Sequence, residues 1–170
     1  MDLAANEPPS IEIFLLTIII ISYLYIMANW FECKVRYDKL QENGAAKKVT
    51  EPYMVDALTF TEAEARITEE QRPFISGEFD VAAVKRSRIA EIVFEDEGDR
   101  WDLSKVGFIT VDEKSGAEKR SVSQMLVQAS GFKSAYDNLL EHMKGTMADY
   151  DIVSIAETPI MDVYRMKVVD

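Results

Sequence analysis

The chain has 170 residues and a formal net charge of −11, with 30 acids against 19 bases, a single His and a single Cys. That count excludes a Cys/His zinc site or a two-histidine metal site within one copy; it also excludes an intrachain disulfide, which accords with a reducing cytoplasm. The acidic balance argues against non-specific nucleic-acid binding, which relies on Lys and Arg to neutralise phosphates.

Residues 1–28 form an apolar leader. Ile13 to Ala28 is apolar apart from Thr17 and Ser22, and these 16 residues fall short of the roughly 20 that span a bilayer. Asp2, Glu7 and Glu12 stand there without any Lys or Arg, whereas a secretory signal needs a positive start. Three readings are open. In the preferred one, translation starts at Met27, three residues ahead of the first strand, and the apolar run is upstream spacer that is never made. In the second it is a membrane anchor, with Lys34 and Arg36 holding the following domain in the cytoplasm. In the third it is a cleaved signal. Without residues 1 to 26, which hold three acids and no bases, the charge is −8.

From Trp30 onward the chain repeats itself. Trp30, Lys34, Val35 and Tyr37 fall on Trp101, Lys105, Val106 and Phe108 at an offset of 71. Gly44, Val55, Ala57, Phe60 and Ala63 fall on Gly116, Val127, Ala129, Phe132 and Ala135 at 72, and Val81, Ile89 and Ile92 fall on Ile152, Ile160 and Val163 at 71 again. These are mostly apolar, turn-forming or helix-entry positions, which are the ones a fold requires.

Each unit reads as strand, hairpin, strand, helix, strand. Cys33, Val35 and Tyr37 alternate with Glu32, Lys34 and Arg36, so one set points inward and the other outward. Asn43-Gly44 supplies the positive φ of a tight turn, and Ser115-Gly116 takes its place in the second unit. The partner strand runs from about Val49 to Ala57. Thr61 and Glu64 have capping-box spacing after Phe60, which predicts a helix with Phe60, Ala63 and Ile67 on its apolar face, stopped by Arg72-Pro73 and Gly77. The second helix carries Phe132, Ala135, Leu139 and Met143 at helical spacing, with Gly145 as its C-terminal cap. The connector Glu95 to Asp99 lacks the alternating acids and terminal Glu of a calcium loop and reads as a solvated turn.

The expected fold is α+β: a tandem duplicated strand-hairpin-strand-helix-strand unit forming one pseudo-twofold antiparallel sheet with two helices on one face. Residues 29–170 would make a single domain from repeat 1 (30–94) and repeat 2 (101–165), because one unit of about 70 residues is marginal alone.

The other sheet face would be open, and it holds the candidate binding residues. Trp30, Glu32, Lys34 and Arg36 share one parity, Trp101, Leu103 and Lys105 repeat it, and Met54 and Leu126 fall on the same face. Aromatic rings beside bases can stack single-stranded nucleic acid, whereas an apolar strip among charges suits a protein or subunit interface. The tryptophans at strand starts read more simply as rings packing a domain end, and Lys47-Lys48 and Lys119-Arg120 as a solvated hairpin stem that guards an edge.

Nothing in the pattern calls for catalysis. His142 reads as a helix-surface residue, and Cys33, with Ser104 as its counterpart, reads as a small core residue whose buried thiol is inert. There is no Gly-rich phosphate loop, and carboxylates such as Glu91, Glu141 and Glu157 define no pair. No catalytic residue, cofactor or metal is therefore expected.

Several stretches resemble a known family: Trp30 to Tyr37, Lys48 to Tyr53, Phe60 to Arg66, Asp112 to Gly116, Met125 to Ala129 and Glu157 to Val163. They look like domain of unknown function 4494, short proteins of Bacteroidota and their phages. The resemblance covers most of the chain from Met27, leaves residues 1 to 26 outside, and implies no activity or site residue. The expected function is a non-enzymatic binding or assembly domain of the cytoplasm that meets a protein partner or its own copy through the open face. The alternatives are a single-stranded nucleic-acid binder and, if the leader is real, a membrane-tethered adaptor.

Overall fold

A computed structural model describes residues 29–166 and, ahead of them, residues 11, 13, 15, 16 and 19, which are helical and exposed. The leader otherwise lies outside the described residues. No helix among the described residues is long and apolar enough to cross a membrane.

The chain order is β1 (Asn29–Leu40), β2 (Ala46–Ala57), α1 (Phe60–Gln71), β3 (Phe79–Arg86), β4 (Ile89–Val93), β5 (Arg100–Val111), β6 (Glu118–Ala129), α2 (Phe132–Met143), β7 (Asp149–Glu157) and β8 (Val163–Tyr164). The fold is α+β, as the pattern requires. Among the described residues the strands form two sheets of four instead of one continuous sheet, in the orders β3-β1-β2-β8 and β4-β6-β5-β7.

The hairpins follow from their turn residues. Gly44 has φ 78° and Gly116 has φ 68°, a region that costs a side chain but not glycine. β1 then pairs with β2 from Asn29↔Ala57 to Leu40↔Ala46, and β5 with β6 from Arg100↔Ala129 to Val111↔Glu118. β3 and β7 add antiparallel to β1 and β5, each with one bulge, at Lys34/Val35 and at Lys105/Val106. The bulges are 71 residues apart, so the duplication reaches the level of strand register.

The last strand of each unit breaks the expected antiparallel pattern. β4 crosses to pair parallel with β6, with Ile92 opposite Leu126, and β8 crosses to pair parallel with β2, with Val163 opposite Met54.

α1 begins two residues earlier than the Thr61–Glu64 spacing indicates. The Thr59 hydroxyl accepts from the Glu62 N–H (3.1 Å) and caps the helix, and the Glu62 carboxylate accepts from the N–H of Leu58 (2.9 Å), the residue ahead of the cap. Ala63 and Ile67 are buried against Phe31, Cys33, Val35, Tyr53, Val55 and Ala57. α2 buries Ala135, Leu139 and Met143, the last two against Val106, Met125 and Val127. Gly145 is not left-handed, so it is not the expected cap; the last turn closes from the Lys144 N–H to Glu141 O. Phe60 and Phe132 stand off the buried stripes and are mostly exposed.

A third cluster lies between the sheets. Met54, Ile92, Trp101, Leu126 and Val163 come from both sheets, with Trp30, Ile89, Phe94 and Ile160 packed around them. Parity puts α1 and α2 on the opposite faces of the two sheets from this cluster, so the layers run helix, sheet, sheet, helix. The helix-free faces meet each other.

A cleft between the two sheets as candidate functional site

The face expected to be open is therefore divided between core and cleft. Met54 and Leu126 are fully buried and Trp101 is 3% exposed, which places all three in the inter-sheet cluster and not on a surface. Trp30 is partly buried and packs on the same cluster. The reason is simple: two apolar faces of matching parity cover each other, an outcome parity alone does not specify. Lys34, Arg36 and Lys105 lie farther along the same strands and keep contact with solvent.

Beyond the cluster the inner faces part, and burial is lost toward the hairpins. Next after Met54 come Glu32 and Lys34, whose side chains are 38% and 43% exposed and lie 3.9 Å apart. The resulting cleft of about 460 Å³ is lined by Glu32, Lys34, Thr50 and Pro52 on the first sheet and by Leu103, Gln124 and Leu126 on the second. That volume is within the range of sites that take a small ligand or a short chain segment.

The floor is made by the two crossovers, which are built alike. The Ser87 N–H donates to Trp30 O (2.8 Å), and the Thr158 N–H donates to Trp101 O (2.9 Å). The Ser87 hydroxyl accepts from the Ile89 N–H and the Thr158 hydroxyl from the Ile160 N–H. Each tryptophan thus marks the point where a chain leaves one sheet for the other. Ser87-x-Ile89 and Thr158-x-Ile160 repeat at 71, a signal present in the sequence that parity reasoning passed over.

The two walls differ. The first sheet offers Glu32, Lys34, Thr50 and Pro52, while the second offers Leu103, Gln124 and Leu126; beyond the cleft, nearer the hairpin, the second sheet has Gly107 with Val122 opposite it. Val122 and Ile109 are both exposed. Nearer the hairpin each wall carries an ion pair, in addition to Glu32 with Lys34 on the first. On the first, Arg36 donates to both oxygens of Asp80 at 3.1 and 2.7 Å, and the Asp80 carboxylate holds the guanidinium pKa above its usual value. On the second, Arg120 reaches Asp151 at 2.5 Å across Gly107, which is the counterpart of Arg36. The acid has kept its place in both repeats, and the base comes from the neighbouring strand in the second. Lys105 is exposed.

Other titratable groups lie apart from the cleft. The Cys33 thiol is buried under α1 and pushed up to about 12, chiefly by burial and further by Glu32 and Glu64. His142 Nε2 is 3.0 Å from Glu91 Oε1 at the surface. Glu157 pairs with Arg100 and Glu141 with Lys144. Among the described residues no group of three or more His, Cys, Asp or Glu side chains is placed to hold a metal ion.

A family model described as Domain of unknown function (DUF4494) matches residues 29–166. The chain belongs to this family. One match spans both repeats and both crossovers, so the family's unit is the interleaved pair and not the single repeat. No curated protein matches the chain.

Proposed function

We propose that this member of the family is a non-enzymatic binding domain that holds a segment of a partner protein in the cleft between its sheets. The observation that carries the reading is the cleft itself, with a wall charged at Glu32 and Lys34 facing an uncharged wall of Leu103, Gln124 and Leu126. Unlike walls suit a segment with one charged and one apolar side, and mixed lining of this kind is typical of protein contacts. The lining offers hydrogen-bonding and apolar groups without a nucleophile set beside a base, which is why binding is preferred to catalysis. A cytoplasmic setting belongs to the same proposal, supported by the one cysteine being a buried free thiol.

Single-stranded nucleic acid is the less supported occupant. Stacking needs exposed ring faces, and Trp101 is 3% exposed while Trp30 packs on the inter-sheet cluster. Arg36 and Arg120 are moreover occupied by Asp80 and Asp151.

The test is site-specific photocrosslinking in the native cell from Thr50 and Gln124, on opposite walls of the cleft, with Thr68 on the outer face of α1 as control. The reading expects one protein crosslinked from both cleft positions, not from Thr68, and lost on Leu103→Arg. Crosslinks that are equal from all three positions, or unchanged by Leu103→Arg, would overturn it. If nucleic acid were the occupant, the adducts would be nuclease-sensitive and binding would weaken steeply with salt.

A further inference from the structure

Because the two repeats share one fold, an exposed position that is polar or small in one and large and apolar in the other reports on use instead of on folding. Such a difference lies on the outer side of the second sheet, between α2 and β7, away from the cleft. β7 is the edge strand there. A groove of about 530 Å³ runs along it, walled by Phe132, Tyr136 and Leu140 of α2 and by Ile152, Val153 and Ile155 of β7. Phe132 is 62%, Tyr136 41% and Val153 47% exposed.

The fold does not demand Tyr136, Leu140 or a side chain as large as Val153. The first repeat has Glu64 and Thr68 in place of Tyr136 and Leu140, and Ala82 in place of Val153. Phe60, the counterpart of Phe132, lies edge-on against Phe31 with ring centroids 5.0 Å apart. The position equivalent to Phe31 is Asp102, so Phe132 has no such ring to rest on. The loops after the helices diverge in the same sense. Ile75, three residues past Arg72, packs on the first core cluster, whereas Met147, three residues past Lys144, is fully exposed.

We infer that this surface is the contact through which a second copy of the chain binds, with Met147 and Val153 of each copy set against Phe132 and Tyr136 of the other. A surface that carries both an apolar projection and an apolar groove is self-complementary, the condition for a twofold contact in which the same patch serves both copies. The bulge that leaves Val153 unpaired in the β5/β7 register turns the edge away from regular strand addition, so side chains carry the contact. Burying the four residues removes on the order of 500 Å² of largely apolar surface per copy. With its polar rim that approaches the roughly 800 Å² per partner of a standard interface. The inference is independent of what occupies the cleft.

The deciding experiment is the molar mass of the full chain by sedimentation equilibrium, alongside Val153→Arg and Tyr136→Glu, with Phe74→Glu on the first repeat as control. The wild type and Phe74→Glu should be dimeric at about 100 μM, and the two groove variants should raise the dissociation constant about tenfold or more with unchanged circular dichroism. A monomeric wild type, or a dimer that Val153→Arg leaves intact, would overturn the inference. Should the variants fail to fold, hydrogen exchange of the wild type decides: residues 147–155 must gain protection as concentration rises, and their failure to do so refutes the contact.

Discussion

The burial of Met54 and Leu126 between the sheets sets up a measurement with a definite magnitude. If the helix-free faces meet, truncating either side chain leaves a cavity; if they were open, truncation would cost almost nothing. Leu126→Ala removes about three methylene-sized groups from a fully buried site, or about 2.5 kcal/mol of transfer free energy. The cavity left behind raises this to about 3–4 kcal/mol, and Met54→Ala falls in the same range. For a folded part of this size that is a fall of roughly 10 °C in Tm. Because the two residues reach one cluster from opposite sheets, the second truncation enlarges an existing cavity, and the double variant should cost about 1 kcal/mol less than the two singles together. Urea titration followed by fluorescence suits the question, since Trp101 reports from the same cluster. Val122→Ala, at a position 56% exposed on the same inner face, should change stability by no more than about 0.5 kcal/mol. Core truncations that cost under about 1 kcal/mol and add independently would refute the face-to-face packing and restore an open sheet.

The remaining predictions concern single groups. Cys33 should resist alkylation at pH 8 until the chain unfolds, because its folded pKa of about 12 lies above the ordinary 9.0. The linkage has a fixed sign: the folded state holds the thiol proton more tightly, so stability falls as pH rises from 9 toward 12, and Cys33→Ala should make that fall shallower in urea midpoints taken across the range. Gly98→Ala should destabilise far more than Gly107→Ala in thermal melts. A Cβ at 98 meets the Ala129 backbone nitrogen at 2.6 Å, whereas one at 107 meets only the movable ends of Asp151 and Arg120. Asp102→Ala strips the carboxylate that Arg100 clamps at 3.0 and 3.1 Å in a fully buried position and should cost about 3 kcal/mol in the same urea assay, against under about 1 for Asp80→Ala, whose pair with Arg36 is solvated.

Much of the frame was legible because the duplication repeats what the fold needs. Gly44 and Gly116 marked both hairpins, Cys33, Val35 and Tyr37 had the parity that faces α1, and Ala63, Ile67, Ala135 and Leu139 marked the buried stripes. Local boundaries slipped where two signals competed. Thr59 and Glu62 cap α1 with the same spacing as Thr61 and Glu64, and both pairs fit the composition rule. The division into two sheets was not legible, since period two says which residues share a face and not what that face meets. Met54 and Leu126 accordingly read as a surface when they are a core, whereas the plainer reading of Trp101 as a packing ring holds. The candidate site was half legible for the same reason: Glu32, Lys34 and Leu103 had the parity of the inner faces, but with Thr50 and Gln124 they became parts of one cleft only when the second sheet closed over the first.

The crossovers explain why the unit of this family is the pair. β4 completes the second sheet and β8 completes the first, so a single repeat would lack a strand it needs and leave Met54 or Leu126 without cover. Symmetry of this kind holds the positions that fold and releases those that do not. Ser87 and Thr158, or Ile89 and Ile160, cannot drift apart without loosening a crossover, and they remain alike. The cleft walls and the outer grooves bear no such constraint. Leu103 stands across from a wall of Glu32 and Lys34, and Tyr136 and Val153 stand where the first repeat has Glu64 and Ala82. An internal copy that folds without the apolar residue shows that folding does not require it. The divergent positions are therefore where contacts with other molecules should be sought, the cleft for a partner's segment and the α2/β7 groove for a second copy.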